Sequence, residues 1–184
     1  MIKAFLFDFD GTLYNTNDVN YYAYAEALKK HGVELDYDYY CNHCNGRNYK
    51  EFIPELVSND QEIIEQVHDD KQKLYPEALS KAKVNKKLFD LIDIVKSTSK
   101  VAIVTTASRK NVLNMLEATG KSDVFDLIIC GDDVTHYKPD PECYNLAMEK
   151  LGVTPEETVI FEDSSYGIEA AHASGATVYA VKYF

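Results

Sequence analysis

Two carboxylates two residues apart, Asp8 and Asp10, stand in the stretch Phe5-Leu-Phe-Asp-Phe-Asp-Gly-Thr-Leu13. Apolar residues run up to Asp8, so the stretch reads as a short buried strand that ends in acid. Alternate side chains of an extended chain share a side, which puts both carboxyls on one face. Gly11 permits a sharp turn immediately after them. Like charges this close repel, so the pair calls for a cation, most simply a metal ion. Acids at the C-terminal edge of a strand are also how open parallel sheets build active sites. By itself Asp-x-Asp is equally compatible with a solvated turn, and the rest of the chain decides between the two.

Three further groups follow strand-like segments. Lys100-Val-Ala-Ile-Val104 ends in Thr105-Thr106, the loop after Phe125-Asp-Leu-Ile-Ile129 carries His136-Tyr-Lys-Pro139, and Thr158-Val-Ile-Phe161 ends in Glu162-Asp163. In a parallel sheet these ends share one edge. The set suits metal-assisted phosphoryl transfer. Mg²⁺ takes hard oxygen ligands and shares them with a substrate phosphate. Lys138 can neutralise phosphate charge as a compact ammonium, and Thr105, with Thr106 beside it, can donate a hydroxyl to a phosphate oxygen. Asp8 can attack phosphorus, since carboxylates form aspartyl-phosphates. Asp10 can protonate the leaving oxygen and later deprotonate water. Each part also has a plain reading: a surface lysine, a strand end, helix-opening acids favoured by the helix dipole. Their joint occurrence in one order is what argues for the site. His136 reads as a loop residue.

The elements that position these groups fall into two blocks. From Leu13 to about Tyr75 no strand is legible. Tyr21, Tyr24, Ala25 and Leu28 follow helical spacing up to a stop at Gly32, and further helical pieces span about 36–45, 48–57 and 60–74. Loops of such length are uncommon in compact domains unless functional, so this block reads as a small all-helical cap domain over residues 15–80. Nine of the chain's 14 tyrosines lie between Tyr14 and Tyr75, and most read as packing between cap helices. From Lys86 onward, helices and strands alternate to the end. Residues 1–14 and 81–184 therefore read as an α/β core: a Rossmann-like three-layer α/β/α arrangement with a mainly parallel five-stranded sheet.

Composition narrows the function classes. The chain has 184 residues and a net charge of −11, which argues against non-specific binding to nucleic acid or an anionic membrane. No stretch is long and apolar enough for a membrane span or a secretory leader, so a cytoplasmic protein is expected, with a monomer as the default. Four cysteines, Cys41, Cys44, Cys130 and Cys143, do not form a disulfide framework at this length. Cys41-Asn-His-Cys44 lacks the second half of a zinc site and reads as incidental.

Asp8-Phe-Asp10-Gly-Thr12, Thr105, Lys138-Pro139 and Phe161-Glu-Asp-Ser164 resemble the four ordered motifs of the haloacid dehalogenase superfamily, and the resemblance spans the chain. It implies a phosphatase that hydrolyses a small phosphorylated metabolite, with Asp8 as nucleophile and Asp10 as general acid and base. It implies Thr105, Thr106 and Lys138 as phosphate binders. Mg²⁺ would be held by Asp8, Asp163, the Asp10 backbone carbonyl and, through water, Glu162. Phe161-Glu-Asp-Ser-Ser-Tyr-Gly-Ile168 and Gly46-Arg47 are most similar to the β-phosphoglucomutase and phosphoglycolate-phosphatase branch. Arg47 is then a candidate substrate contact from the cap, and Lys71 reads as surface charge. Asn20 stands where the mutases carry a cap histidine, which counts against a phosphosugar mutase. A non-catalytic, receiver-like phosphate-binding module is the remaining alternative.

Overall fold

The computed structural model describes residues 1–45, 47, 49–57 and 59–182. It separates into two compact units, Met1–Asn15 with Lys83–Phe184, and Thr16–Ala82.

The first unit is built on β1 (Ala4–Phe7), whose four residues Ala-Phe-Leu-Phe are almost wholly buried. A strand apolar on both faces belongs in the middle of a covered parallel sheet, and β1 takes that place. Around it lie β4 (Lys100–Val104), β5 (Leu127–Ile129), β6 (Thr158–Glu162) and β7 (Thr177–Ala180) in the order β5-β4-β1-β6-β7. All four pairings are parallel, so the mainly parallel expectation becomes a fully parallel sheet. Ala4, Leu6, Ala102, Val104, Ile129 and Ile160 project to one face. There they meet Tyr144, Ala147 and Met148 of α7 (Glu142–Leu151) and Ala170 and Ala171 of α8 (Ser165–Ala173). By the two-residue period, Phe7, Val101, Ile103 and Phe161 face the other way, and Phe7 and Phe161 stack at 4.9 Å. The helices α5 (Lys86–Val95) and α6 (Arg109–Ala118) complete the α/β/α layering.

The cap-side block does contain a strand. Residues Tyr14–Asn15 (β2) pair antiparallel with Lys83–Val84 (β3), so the chain leaves and re-enters the first unit through adjacent strands. Two-residue strands carry no readable alternation, which is why the sequence pattern does not show them.

The second unit is helical: α1 (Asn17–Lys29), α2 (Tyr37–Tyr39), α3 (Tyr49–Leu56) and α4 (Gln61–Leu74), followed by a 3₁₀ segment, Tyr75–Lys81. The helical piece expected over 36–45 is a short α-turn, capped by Asp36, that widens into a π-helical turn at Tyr40–Cys44. Tyr24, Leu28, Tyr40, Phe52, Ile53, Ile64 and Val67 form its core. Tyr24 meets Phe52 edge-on at 5.0 Å, and Tyr21 meets Tyr37 the same way at 4.9 Å, so several cap tyrosines do pack helices together. The expectation for Lys71 is corrected. It falls on the same face of α4 as Ile64 and Val67 and is buried, with its ammonium 5.1 Å from the Tyr24 ring centre and 4.5 Å from that of Tyr75. Helical spacing places it inward, and aromatic faces accept the charge.

Candidate active site

The candidates in the core lie at or after the ends of strands, and backbone bonds carry the sheet pairing into them. The Asp8 N–H donates to the Phe161 carbonyl, Thr105 N–H to Ile129, and Val181 N–H to Glu162. These residues are thus fixed by the same ladder that fixes the sheet, and they gather at its C-terminal edge. Gly11, at a φ of +91°, turns the chain away after Asp10. A side chain there would strike the carboxylate of Asp163, since an added Cβ would lie 2.1 Å from Asp163 Oδ2.

Lys138 sits at the centre of the cluster, its side chain 5 % exposed. Its ammonium donates to Asp8 Oδ1 at 2.7 Å, to Glu162 Oε1 at 2.8 Å and to the Val104 carbonyl at 3.2 Å. The loop that delivers it is tied at several points. Glu142, at the start of α7, accepts the backbone N–H groups of Thr135 and His136 and pairs with the His136 ring at 2.7 Å. Arg109 of α6 holds Asp133, and Asp132 accepts the Arg109 N–H. His136, read from the sequence only as a loop residue, thus anchors the loop through Glu142. The helix after this loop begins at Glu142, whose N–H is accepted by the Asp140 carboxylate.

Carboxylate oxygens of Asp8, Glu162 and Asp163 all lie within 4.8 Å of one another. Glu162 is held through its other oxygen by the Ser164 N–H at 2.7 Å and the Ser164 hydroxyl at 3.0 Å. Ser164 in turn caps α8 by accepting the Gly167 N–H. Gly167 is required by this packing, because a Cβ there would lie 1.7 Å from Glu162 Oε1. The Thr12 hydroxyl donates to Asp163 Oδ1 at 2.9 Å.

The electrostatics follow from burial. Desolvation raises the Asp8 pKa, Lys138 pulls it down, and Glu162 and Asp163 push it up again, leaving it well above the usual value. For Lys138 burial works against the charge, but Asp8, then Tyr144 and Glu162, outweigh it and the pKa stands above the ordinary lysine value. Desolvation, then the Glu162 charge, pushes Asp163 up to about 6. Three carboxylates face one ammonium, a formal imbalance of two negative charges. The donors are hard oxygens, so a divalent cation fits both the charge and the chemistry.

Thr105 is buried, and its hydroxyl accepts the Ala107 N–H, which leaves its own proton to donate. Thr106 is exposed on the same edge, and its carbonyl is closely approached by Gly131, where a Cβ would come within 2.5 Å. Asp10 is half-buried beside the turn and bridges to Tyr14; its carboxylate lies outside the acid trio. Arg47 belongs to the helical unit, where it binds Glu55 at 2.7 Å and the His43 carbonyl at 2.8 Å. Gly46, cited beside it, lies outside the described residues. Asn20 Nδ2 donates to the Thr16 hydroxyl at 3.4 Å. All four cysteines are free thiols.

Sequence reasoning treated Thr12 and Ser164 only as motif members and missed their bonds to Asp163 and Glu162. It gave Tyr144 no part in the site, although its ring is centred 5.0 Å from the Lys138 ammonium. Its place on the inward face of α7, soon after Lys138, was the available signal.

The family model described as haloacid dehalogenase-like hydrolase matches residues 5–181. The chain belongs to this family. It is 32% identical over 181 residues to the phosphorylated carbohydrates phosphatase of Thermotoga maritima, covering 95% of this chain and 82% of that one. It is 30% identical to the fructose-1-phosphate phosphatase YqaB of Escherichia coli, covering 92% and 91%. The crystal structure of CbbY from Rhodobacter sphaeroides in complex with phosphate superposes with a TM-score of 0.87 at 30% identity, over 100% of this chain and 88% of that chain. Among the described residues no helix is long and apolar enough to cross a membrane.

Proposed function

We propose that this haloacid dehalogenase-like hydrolase is a Mg²⁺-dependent phosphatase of a small phosphorylated metabolite, working through an aspartyl-phosphate on Asp8. The observation that carries the reading is the Asp8 carboxylate itself. It is buried at the end of the central strand, bound by Lys138 at 2.7 Å, with Glu162 and Asp163 close by. Relatives named as phosphatases of phosphorylated carbohydrates and of fructose 1-phosphate support the same reaction and the substrate class.

Asp8, Glu162, Asp163 and the backbone carbonyl of Asp10 would hold the cation, Glu162 through water. When bound, it supplies positive charge that offsets the clustered acids and the substrate phosphate. The chain's own residues do the rest. Asp8 must be ionised to attack phosphorus; the Lys138 ammonium favours that form against burial and the neighbouring acids, and a bound cation would favour it further. Lys138 and the Thr105 hydroxyl bind the phosphoryl oxygens and hold the group in line with Asp8, with Thr106 beside them. Asp10 gives a proton to the departing oxygen. It then takes one from the water that attacks the aspartyl-phosphate, which frees phosphate and restores Asp8. The helical unit is the cap in this reading. It selects the leaving group and keeps bulk water from the intermediate; Arg47 is its candidate substrate contact.

The test is phosphate release from a panel of phosphorylated metabolites. Release with Mg²⁺ and loss of release with EDTA are expected, with sugar phosphates ranking high. An isomerised sugar phosphate in place of free phosphate would replace the reading with a mutase. Release undiminished by EDTA would remove the cation from it.

A further inference from the structure

Tyr144 is fully buried in α7, and its hydroxyl makes no hydrogen bond. A buried hydroxyl without a partner is costly, and a tyrosine in a core normally finds one. Phenylalanine would fill the same space without that cost. This hydroxyl nevertheless belongs to a residue that packs against the charged cluster. The charges of Lys138, Glu162 and Asp8 reach it, Lys138 being close enough to act on it by side-chain contact as well, and its ring faces the Lys138 ammonium without a hydrogen bond of ordinary geometry to the hydroxyl. An ammonium has three protons. Those of Lys138 are committed to Asp8, Glu162 and the Val104 carbonyl, so Tyr144, though close, receives no well-formed hydrogen bond from it.

The same count constrains the reaction. Lys138 cannot donate to a phosphate oxygen without withdrawing a proton from one of its three acceptors. The 3.2 Å bond to Val104 is the longest of the three and costs least to release. That acceptor would then stand free of Lys138 in the buried cluster that also holds Tyr144, whose hydroxyl has a proton to give. We propose that Tyr144 is a positioning residue: its hydroxyl takes over the acceptor that Lys138 gives up when the ammonium turns to the phosphate. The hydroxyl is unpaired in the free protein because its partner becomes available only with phosphate bound. No bond other than hydrogen bonds is made or broken, and no proton changes owner.

This inference rests on the phosphatase reading, and Tyr144→Phe tests it, since that change removes the hydroxyl and keeps the ring. Three quantities are measured on wild type and variant with saturating Mg²⁺: the melting temperature without phosphate, the dissociation constant of inorganic phosphate, and kcat and KM for the best substrate. The expected result is a melting temperature equal to wild type or higher, together with phosphate affinity and kcat/KM reduced roughly five- to tenfold, the scale of one hydrogen bond. Wild-type affinity and turnover in the variant would overturn the inference. A clearly lower melting temperature of the phosphate-free variant would overturn it too, because the hydroxyl would then be bonded, through water, in the free protein. Failure of the phosphatase reading would look different: the wild type itself would neither bind phosphate nor release it.

Discussion

At the scale of single residues, charge balance governs the site. Lys138 is the only cation among the groups bonded to Asp8 and Glu162 in the described structure, and it is as deeply buried as they are. Replacing it with methionine leaves two buried carboxylates without their cation, a change that costs on the order of 3–5 kcal/mol. Urea unfolding should show a loss of that size, and an unchanged midpoint would mean that the carboxylates are solvated. Gly167→Ala makes a sharper test of placement. The added methyl must displace Glu162, which Ser164 and Lys138 hold from two sides. Titration calorimetry with Mg²⁺ should report weaker binding, while wild-type affinity would show that Glu162 is free to move. The residues that carry these effects differ in how readable they were. Asp8, Asp10, Lys138, Glu162 and Asp163 stand out because acids and a lysine after apolar runs are unusual. Thr12, Ser164 and Tyr144 do not, because a hydroxyl in a turn or an aromatic on an inward helix face fits an ordinary fold as well as a site.

At the scale of elements, strand ends converge and impose a pH dependence. The Asp163 carboxyl has an ordinary value of 3.8 and stands at about 6 in the folded protein. A raised folded value means that the cluster favours folding most below about pH 4 and loses that contribution as the pH rises through 6. A divalent cation binds the ionised acids, so it should restore what is lost. The rise in melting temperature on adding Mg²⁺ is therefore expected to be larger at pH 8 than at pH 5, and an equal rise at both would contradict the assignment of Asp163. Strands β1, β4 and β6 were legible as apolar runs, and the side chains of Ser108 and Ser164 cap α6 and α8. The pair β2–β3 and the π-helical turn were not. Two-residue strands and a helix widened by one residue leave no periodic trace, and Lys71 shows the converse, an inward position masked by a residue type that usually faces water.

At the scale of the whole molecule, the helical unit is an insertion whose two ends lie side by side, Asn15 opposite Lys83. Deleting residues 16–82 and joining these strands with a short glycine turn should leave the first unit folded. Under our proposal the shortened protein still releases phosphate from a small artificial ester but no longer ranks metabolites. Retention of the full ranking would place specificity in the core. All of these expectations depend on one atom-level claim, that the carboxylate of Asp8 attacks phosphorus. The most direct measurement is acid-quenched turnover of the best substrate, followed by peptide mass mapping and by phosphate release from the Asp8→Asn protein, checked for an unchanged fold. The account predicts one phosphoryl group on the peptide that contains Asp8 and a loss of turnover of at least about a thousandfold in the variant. Turnover retained by Asp8→Asn, or a phosphoryl group on another side chain, would contradict it.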